Sequence, residues 1–146
     1  MVYHPYALQH RQERRSGRRL ALALIAALGL PLALGAGYTM DTVRGYAVQA
    51  RLAQAVDAAA LAGGRVMFDD QRDGHIRTFF DNAFSKGFLG AHAVALTIED
   101  DSRSGVLTVH GRATVKALFT RILGGNDLTV EAQSVVRRGV HGRKAS

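Results

Sequence analysis

The sequence predicts an α+β protein: a long N-terminal apolar helix runs on into a small head, in which a three-stranded, mostly antiparallel sheet packs on helices. Three observations predict it. Residues 20–40 read LALALIAALGLPLALGAGYTM, 21 positions without a charge. Residues 41–66 continue as an alanine-rich, proline-free segment that stops at Gly63-Gly64. Beyond residue 93 the hydrophobic period changes from helical spacing to two, the mark of strands with one buried face.

At 1.5 Å per residue the uncharged run makes about 31 Å of helix, the thickness of a bilayer's hydrocarbon core. Pro31 and the glycines would weaken a soluble helix but are tolerated in membrane spans. Arg11, Arg14, Arg15, Arg18 and Arg19 precede the run against Glu13 alone. That excess of positive charge holds the N-terminus in the cytoplasm and sends the remainder across. The expected partition is a basic cytoplasmic tail at 1–19, a transmembrane helix at 20–40 and an extracytoplasmic module at 41–138. Within that module a long helix (41–66) precedes the α+β head (67–138), and a basic tail follows at 139–146. The expected location is the bacterial inner (cytoplasmic) membrane, with the C-terminal domain in the periplasm. The alternative is an exported soluble binding or enzymatic domain, released by cleavage at Ala33-Leu34-Gly35 or Gly35-Ala36-Gly37. A cleaved leader normally has a shorter apolar region, so the anchor is preferred.

The net charge of +7 does not mark a nucleic-acid protein. Residues 1–19 and 137–146 each carry a net +4, which leaves the stretch between them at −1. A nucleic-acid-binding domain concentrates its positive charge on the folded surface. With no cysteine there are no disulfides or thiolate metal sites.

The 41–66 helix shows two apolar stripes. Val43, Ala47, Ala50 and Leu61 form one, with Gln54 and Asp57 filling the intermediate positions; Val48, Leu52 and Val56 form the other. Two apolar faces call for two partners: the helix is either sandwiched in one core or shared between its own domain and another chain. Asp57, among alanines, calls for a counter-charge, and an arginine of the same domain is favoured over a group on a neighbouring subunit. Asp41 and Arg44, three apart where the span ends, read as a surface pair of small worth.

A second helix is predicted over 73–85, with Ile76, Phe79, Phe80, Ala83 and Phe84 on or near one face. Val94, Leu96 and Ile98, then Leu107, Val109, Gly111 and Ala113, alternate as the strands of a hairpin joined at 100–105. A short helix over 116–123 and a third strand carrying Leu128, Val130 and Ala132 complete the head.

Asp100-Asp101-Ser102-Arg103-Ser104 matches D-x-S-x-S, the start of a metal-ion-dependent adhesion site with hard oxygen donors. A strand follows within two residues, so it reads as a turn stabilised by Asp and Ser side chains. Asp69-Asp70-Gln71-Arg72-Asp73-Gly74 resembles half a calcium loop, but its twelfth position, where a bidentate Glu belongs, is Phe80. The histidines at 4, 10, 75, 92, 110 and 141 lack a short ligand spacing. No nucleophile elbow, P-loop or dinucleotide fingerprint occurs. The chain is read as a non-enzyme without a cofactor.

Met40-Asp41-Thr42-Val43-Arg44-Gly45-Tyr46, followed by Ala50-Arg51-Leu52-Ala53-Gln54-Ala55-Val56-Asp57-Ala58-Ala59-Ala60-Leu61-Ala62, resembles the membrane-proximal region of TadE/TadG-like proteins of the tight-adherence (Tad, or Flp) pilus system. The family pattern is a VDxxR exit and then LQxAxDAAALA. Residues 107–137 also resemble the family's LTVxGxAxV…LFxxILG…LTVxAxSxVxR stretch. Ala53 replaces the Gln of the LQ pair, and Met40 stands where Val is common. Longer relatives continue into a von Willebrand A-type domain, whose adhesion and metal binding are not carried over to this chain. Pseudopilin relatives are cut ahead of their apolar run, whereas Asp41 follows it, so prepilin processing is not expected. The resemblance implies a structural pilus-assembly role. The implied partners are the lipid bilayer, pilus-assembly or pseudopilin proteins and a second copy of the chain. Asp41, Arg44, Leu52, Asp57 and Leu61 are the residues expected to define the interaction helix.

Overall fold

The computed structural model describes residues 9–66 and 69–137, with side-chain placement from residue 17. The basic C-terminal segment from 138 and the first eight residues lie outside the described residues. Chain contacts divide the protein into two units, Met1–Met40 and Asp41–Ser146.

Helix α1 spans Gln9–Arg65 without interruption and contains Pro31. In the first unit it is one apolar rod. Leu20, Leu22, Leu24, Ile25, Leu28, Leu30 and Leu32 are all exposed, and they project on every side, because the sequence places apolar residues all round the helix. Thr39 donates its hydroxyl to the Gly35 carbonyl one turn back, at 2.9 Å. The helix is long and apolar enough to cross a membrane.

The second unit is α+β. The remainder of α1 is followed by α2 (Arg72–Ala83) and three strands, β1 (Ala91–Asp101), β2 (Val106–Val115) and β3 (Leu128–Arg137). The strands form an antiparallel sheet in the order β1-β2-β3. Central β2 buries every second residue (Leu107, Val109, Gly111, Ala113 and Val115). The same phase half-buries Val94, Leu96 and Ile98 on β1 and buries Val130 on β3. Period-two alternation therefore sets which face of the sheet is dry.

Helix α1 covers that face. Val48, Leu52, Ala55, Val56, Ala59 and Ala60 join Ile76, Phe80 and Phe84 and the inward residues of β2 in one core. Its direction follows from three contacts: Gly45 lies against Leu128, Gly111 against Leu52 and Val56, and Gly63 against Leu107. The helix thus starts where β2 ends and finishes where β2 begins. At Gly111 an added Cβ would come within 2.5 Å of Val56 Cγ2, so glycine is what lets helix and sheet approach this closely.

The predicted elements appear with small shifts. The helix expected over 73–85 occupies Arg72–Ala83. The one expected over 116–123 shrinks to a single 3-10 turn, Thr120–Leu123, bounded by the left-handed Gly124. A further 3-10 turn, Phe88–Gly90, precedes β1.

Of the two stripes on α1, only Val48, Leu52 and Val56 are buried. Val43, Ala50 and Leu61 face outward, and Ala47 is only half-buried. Among the described residues nothing covers the outer stripe, so the helix is not sandwiched there: it lays Val48, Leu52 and Val56 on the core and leaves Val43, Ala50 and Leu61 exposed. Truncating the inner stripe, as in Leu52→Ala, is expected to destabilise the head by about 2–5 kcal/mol. Leu61→Ala should cost less than about 1 kcal/mol. Denaturant unfolding of the full chain in detergent, followed by circular dichroism, checks both.

Candidate functional site: the Asp41–Arg44 clamp

Asp41 is the first residue after the uncharged run and lies on the side of α1 that turns toward the head. Its carboxylate receives four hydrogen bonds from one loop. Oδ1 accepts from Leu118 N at 3.1 Å. Oδ2 accepts from Phe119 N at 2.9 Å, Thr120 N at 2.8 Å and the Thr120 hydroxyl at 2.9 Å. Three consecutive backbone N–H groups converging on one anion make a nest, here filled by a side chain 77 to 79 residues away in sequence. Only 9% of the Asp41 side chain is exposed.

Burial alone pushes the Asp41 carboxyl up. The hydrogen bonds from Thr120 N, Leu118 N, the Thr120 hydroxyl and Phe119 N together outweigh it and hold the group at about 2. Donors aimed at the charged form stabilise that form.

Arg44, one turn on, grips a second loop. Its Nη2 donates to the Leu89 carbonyl at 2.6 Å, and its Nη1 lies 3.9 Å from Asp41 Oδ1. Leu89 reaches this position through left-handed backbone (φ 47°), and Gly90 beside it has φ 82°. A Cβ on Gly90 would sit 2.7 Å from Arg44 Nη2, so the guanidinium needs glycine there. The β2–β3 connection is tied once more at its base, where Asp127 Oδ1 accepts from Ala117 N at 3.3 Å.

The two motif residues therefore do more than pair with each other. The sequence reading of Asp41 and Arg44 as a surface ion pair is corrected: their mutual contact is the weakest of their bonds, and each binds the backbone of a different distant loop. Spacing along a helix cannot reveal partners that tertiary folding supplies. The partners Leu118, Phe119, Thr120 and Leu89 were not singled out as site residues. Their one sequence signal is the run Leu118-Phe119…Ile122-Leu123, which is apolar yet belongs to no strand face.

Leu52 is wholly buried and acts as core. Asp57 is exposed and has no ion-pair or hydrogen-bond partner among the described residues. Among the described residues no arginine meets it, because the stripe carrying Asp57 points away from the sheet; a solvated carboxylate needs no counter-charge. Leu61, also exposed, lines a groove of about 400 Å³ with Ala58, Ala62, His75 and Phe79. The clamp, Asp57 and Leu61 thus form no single constellation.

The D-x-S-x-S segment is the β1–β2 turn, with Gly105 at φ 64°. Ser102 Oγ donates to Asp100 Oδ2 at 2.7 Å, and Ser104 Oγ to Asp101 Oδ2 at 2.6 Å. Arg72 closes on Asp100 Oδ2 at 2.7 Å, joining the start of α2 to the turn. The Ser102 hydroxyl and the Arg72 guanidinium hold Asp100 below the usual carboxylate range. These oxygens stabilise the turn. Asp69, in the calcium-loop-like stretch, accepts from Gln71 N at 2.9 Å at the entry to α2.

Comparison with protein-family models, with curated proteins and with solved structures returned no match.

The clamp makes stability depend on acid in a defined window. Asp41 has a folded pKa of about 2 against an ordinary 3.8. Its contribution is therefore full above pH 3.8 and is lost as pH falls through about 2. The difference corresponds to about 2 kcal/mol. Asp41→Asn should lower the stability of the head by about that amount at pH 7 and flatten its pH dependence between pH 4 and 2. Thermal melts of the two proteins across that range check the expectation.

Proposed function

We propose that this chain is a membrane-anchored structural component of a Tad (Flp) type pilus or a related secretion apparatus, acting through helix and head contacts with other proteins. In this reading residues 20–40 cross the bacterial inner membrane, the basic N-terminus stays in the cytoplasm and the α+β head stands in the periplasm. The exposed leucines all round the first unit of α1 support the membrane crossing: such a surface is costly in water and suited to lipid. The resemblance of residues 40–62 and 107–137 to TadE/TadG-like proteins supports the pilus assignment.

One observation carries the assembly role. The stripe Val43, Tyr46, Ala50 and Leu61 is helical and exposed, with Asp57 in its midst. Exposed apolar side chains interleaved with polar ones such as Gln54 and Asp57 suit a protein contact surface. Pseudopilin or pilus-assembly proteins, or a second copy of the chain, are the partners this surface suits. Asp57 would meet a cation or hydrogen-bond donor of that partner.

Two measurements test the reading. The mature protein is expected to retain residues 1–36 and to stay in the membrane fraction after alkaline extraction. A mature N-terminus at Gly37 or Tyr38, with release from the membrane, would establish the exported soluble domain instead. Asp57→Leu is expected to abolish co-purification of pilus-machinery proteins in mild detergent while leaving the thermal stability of the head within about 0.5 kcal/mol. A wild-type protein that purifies as a lone monomer overturns the assembly role.

A further inference from the structure

The loop that Asp41 holds has an unusual surface. Leu118 and Leu123 are each 56% exposed, Phe119 41% and Ile122 75%. Four large apolar side chains thus project from one short connection between β2 and β3. The stretch 116–123 carries Lys116 and Arg121 and no acidic residue, and both cations are exposed.

Its backbone polarity is largely consumed internally. The N–H groups of Leu118, Phe119 and Thr120 go to Asp41. The carbonyls of Phe119, Thr120 and Arg121 accept from Ile122 N, Gly125 N and Gly124 N at 3.1, 2.9 and 3.1 Å. A segment that enters a region poor in water must satisfy its backbone in this way.

The loop also lies close in the chain's path to the end of the uncharged run. Asp41 is joined by one peptide bond to Met40, the last residue of the uncharged run, and three successive loop amides lie against its carboxylate. Whatever depth Asp41 occupies, the loop occupies it too. If residues 20–40 span the bilayer, Asp41 stands at the boundary of hydrocarbon and headgroups. The exposed leucine, phenylalanine and isoleucine side chains of the loop are then within reach of that boundary.

We propose that the Leu118–Phe119–Ile122–Leu123 loop is a membrane-surface contact: its apolar side chains insert at the acyl boundary, and Lys116 and Arg121 meet anionic phospholipid headgroups. The head is thereby held at two points, by the span and by the loop. Interfacial apolar residues with flanking cations bind lipid surfaces through this combination. The β1–β2 turn lies at the other end of the sheet, about 33 Å away over ten residues of β2. The inference rests on the membrane-span reading, and the experiment separates the two.

The absence of cysteine permits clean single-site labelling. Nitroxide labels on Leu28→Cys in the span, Ile122→Cys in the loop and Ser104→Cys in the far turn are placed one at a time in the full chain, in nanodiscs of phosphatidylcholine and phosphatidylglycerol. Each is an exposed position, and the Ser104 hydroxyl bonds only within its own turn, so the core of the head is not at stake. Relaxation by oxygen, which concentrates in lipid, is compared with relaxation by a water-soluble nickel chelate. The expected result is oxygen-dominated relaxation at Leu28 and Ile122 and nickel-dominated relaxation at Ser104. Oxygen-dominated relaxation at Leu28 with an Ile122 label that behaves like Ser104 overturns the loop contact and leaves the span intact. Nickel-dominated relaxation at Leu28 overturns the span reading, and the loop contact with it. An Ile122 label shielded from both relaxants means that protein covers the loop, which also overturns the proposal.

Discussion

A single carboxylate, Asp41, joins the start of the head to its most distant apolar loop. Asp41 satisfies three backbone amides and a hydroxyl that no strand or helix could reach. Without that acceptor, the β2–β3 connection would have three converging N–H groups around an empty nest. With it, the loop folds into a tight 3-10 turn, and the apolar side chains left over point outward. Arg44 repeats the device on the neighbouring side, holding the Leu89 carbonyl just before β1. Both loops lie at the same end of the sheet, so one turn of α1 organises that whole end of the head.

The rest of the head is held by ordinary packing. The inner stripe of α1 lies along the dry face of the sheet, with Gly111 permitting close approach and α2 closing the side with Ile76 and Phe80. The far end has its own polar fastening, Arg72 to Asp100, beside a turn whose serines and aspartates bond among themselves. Dry packing in the middle and charge-assisted bonds at both ends divide the labour. The centre supplies most of the stability, and the ends fix which loop faces which way.

Much of this was legible in the sequence, because periodicity is a local property. The three strands, their inward phase at Leu107, Val109 and Ala113, and a hairpin turn within 100–105 follow from alternation and turn chemistry, although β1 runs on to Asp101. The helical extent of residues 41–65 follows from composition. The choice between the two stripes of α1 is made by the sheet, which takes Val48–Val56, the stripe that no polar residue interrupts, and leaves Val43–Leu61, which holds Gln54 and Asp57, outside. The role of Asp41 is the least legible in the sequence. At i, i+3 from Arg44 it looks like a solvated pair, and nothing local shows that its acceptor capacity is spent 77 residues away. Asp57 fails in the opposite sense: it looks as though it needs a partner, yet folding leaves it in solvent with none among the described residues.

The exposed stripe and the exposed loop are different kinds of surface. The stripe runs along a helix and suits a protein, whereas the loop sits at the level of Asp41 and carries cations. The loop depends on the clamp, because three of its amides are bound by the Asp41 carboxylate. Amide hydrogen exchange tests that dependence most directly. At neutral pH the amides of Leu118, Phe119 and Thr120 should exchange slowly in the wild-type chain and become fast in Asp41→Asn, with the amides of Val109 and Ala113 unchanged. Wild-type exchange at 118–120 as fast as at the Arg103–Ser104 turn would contradict the account.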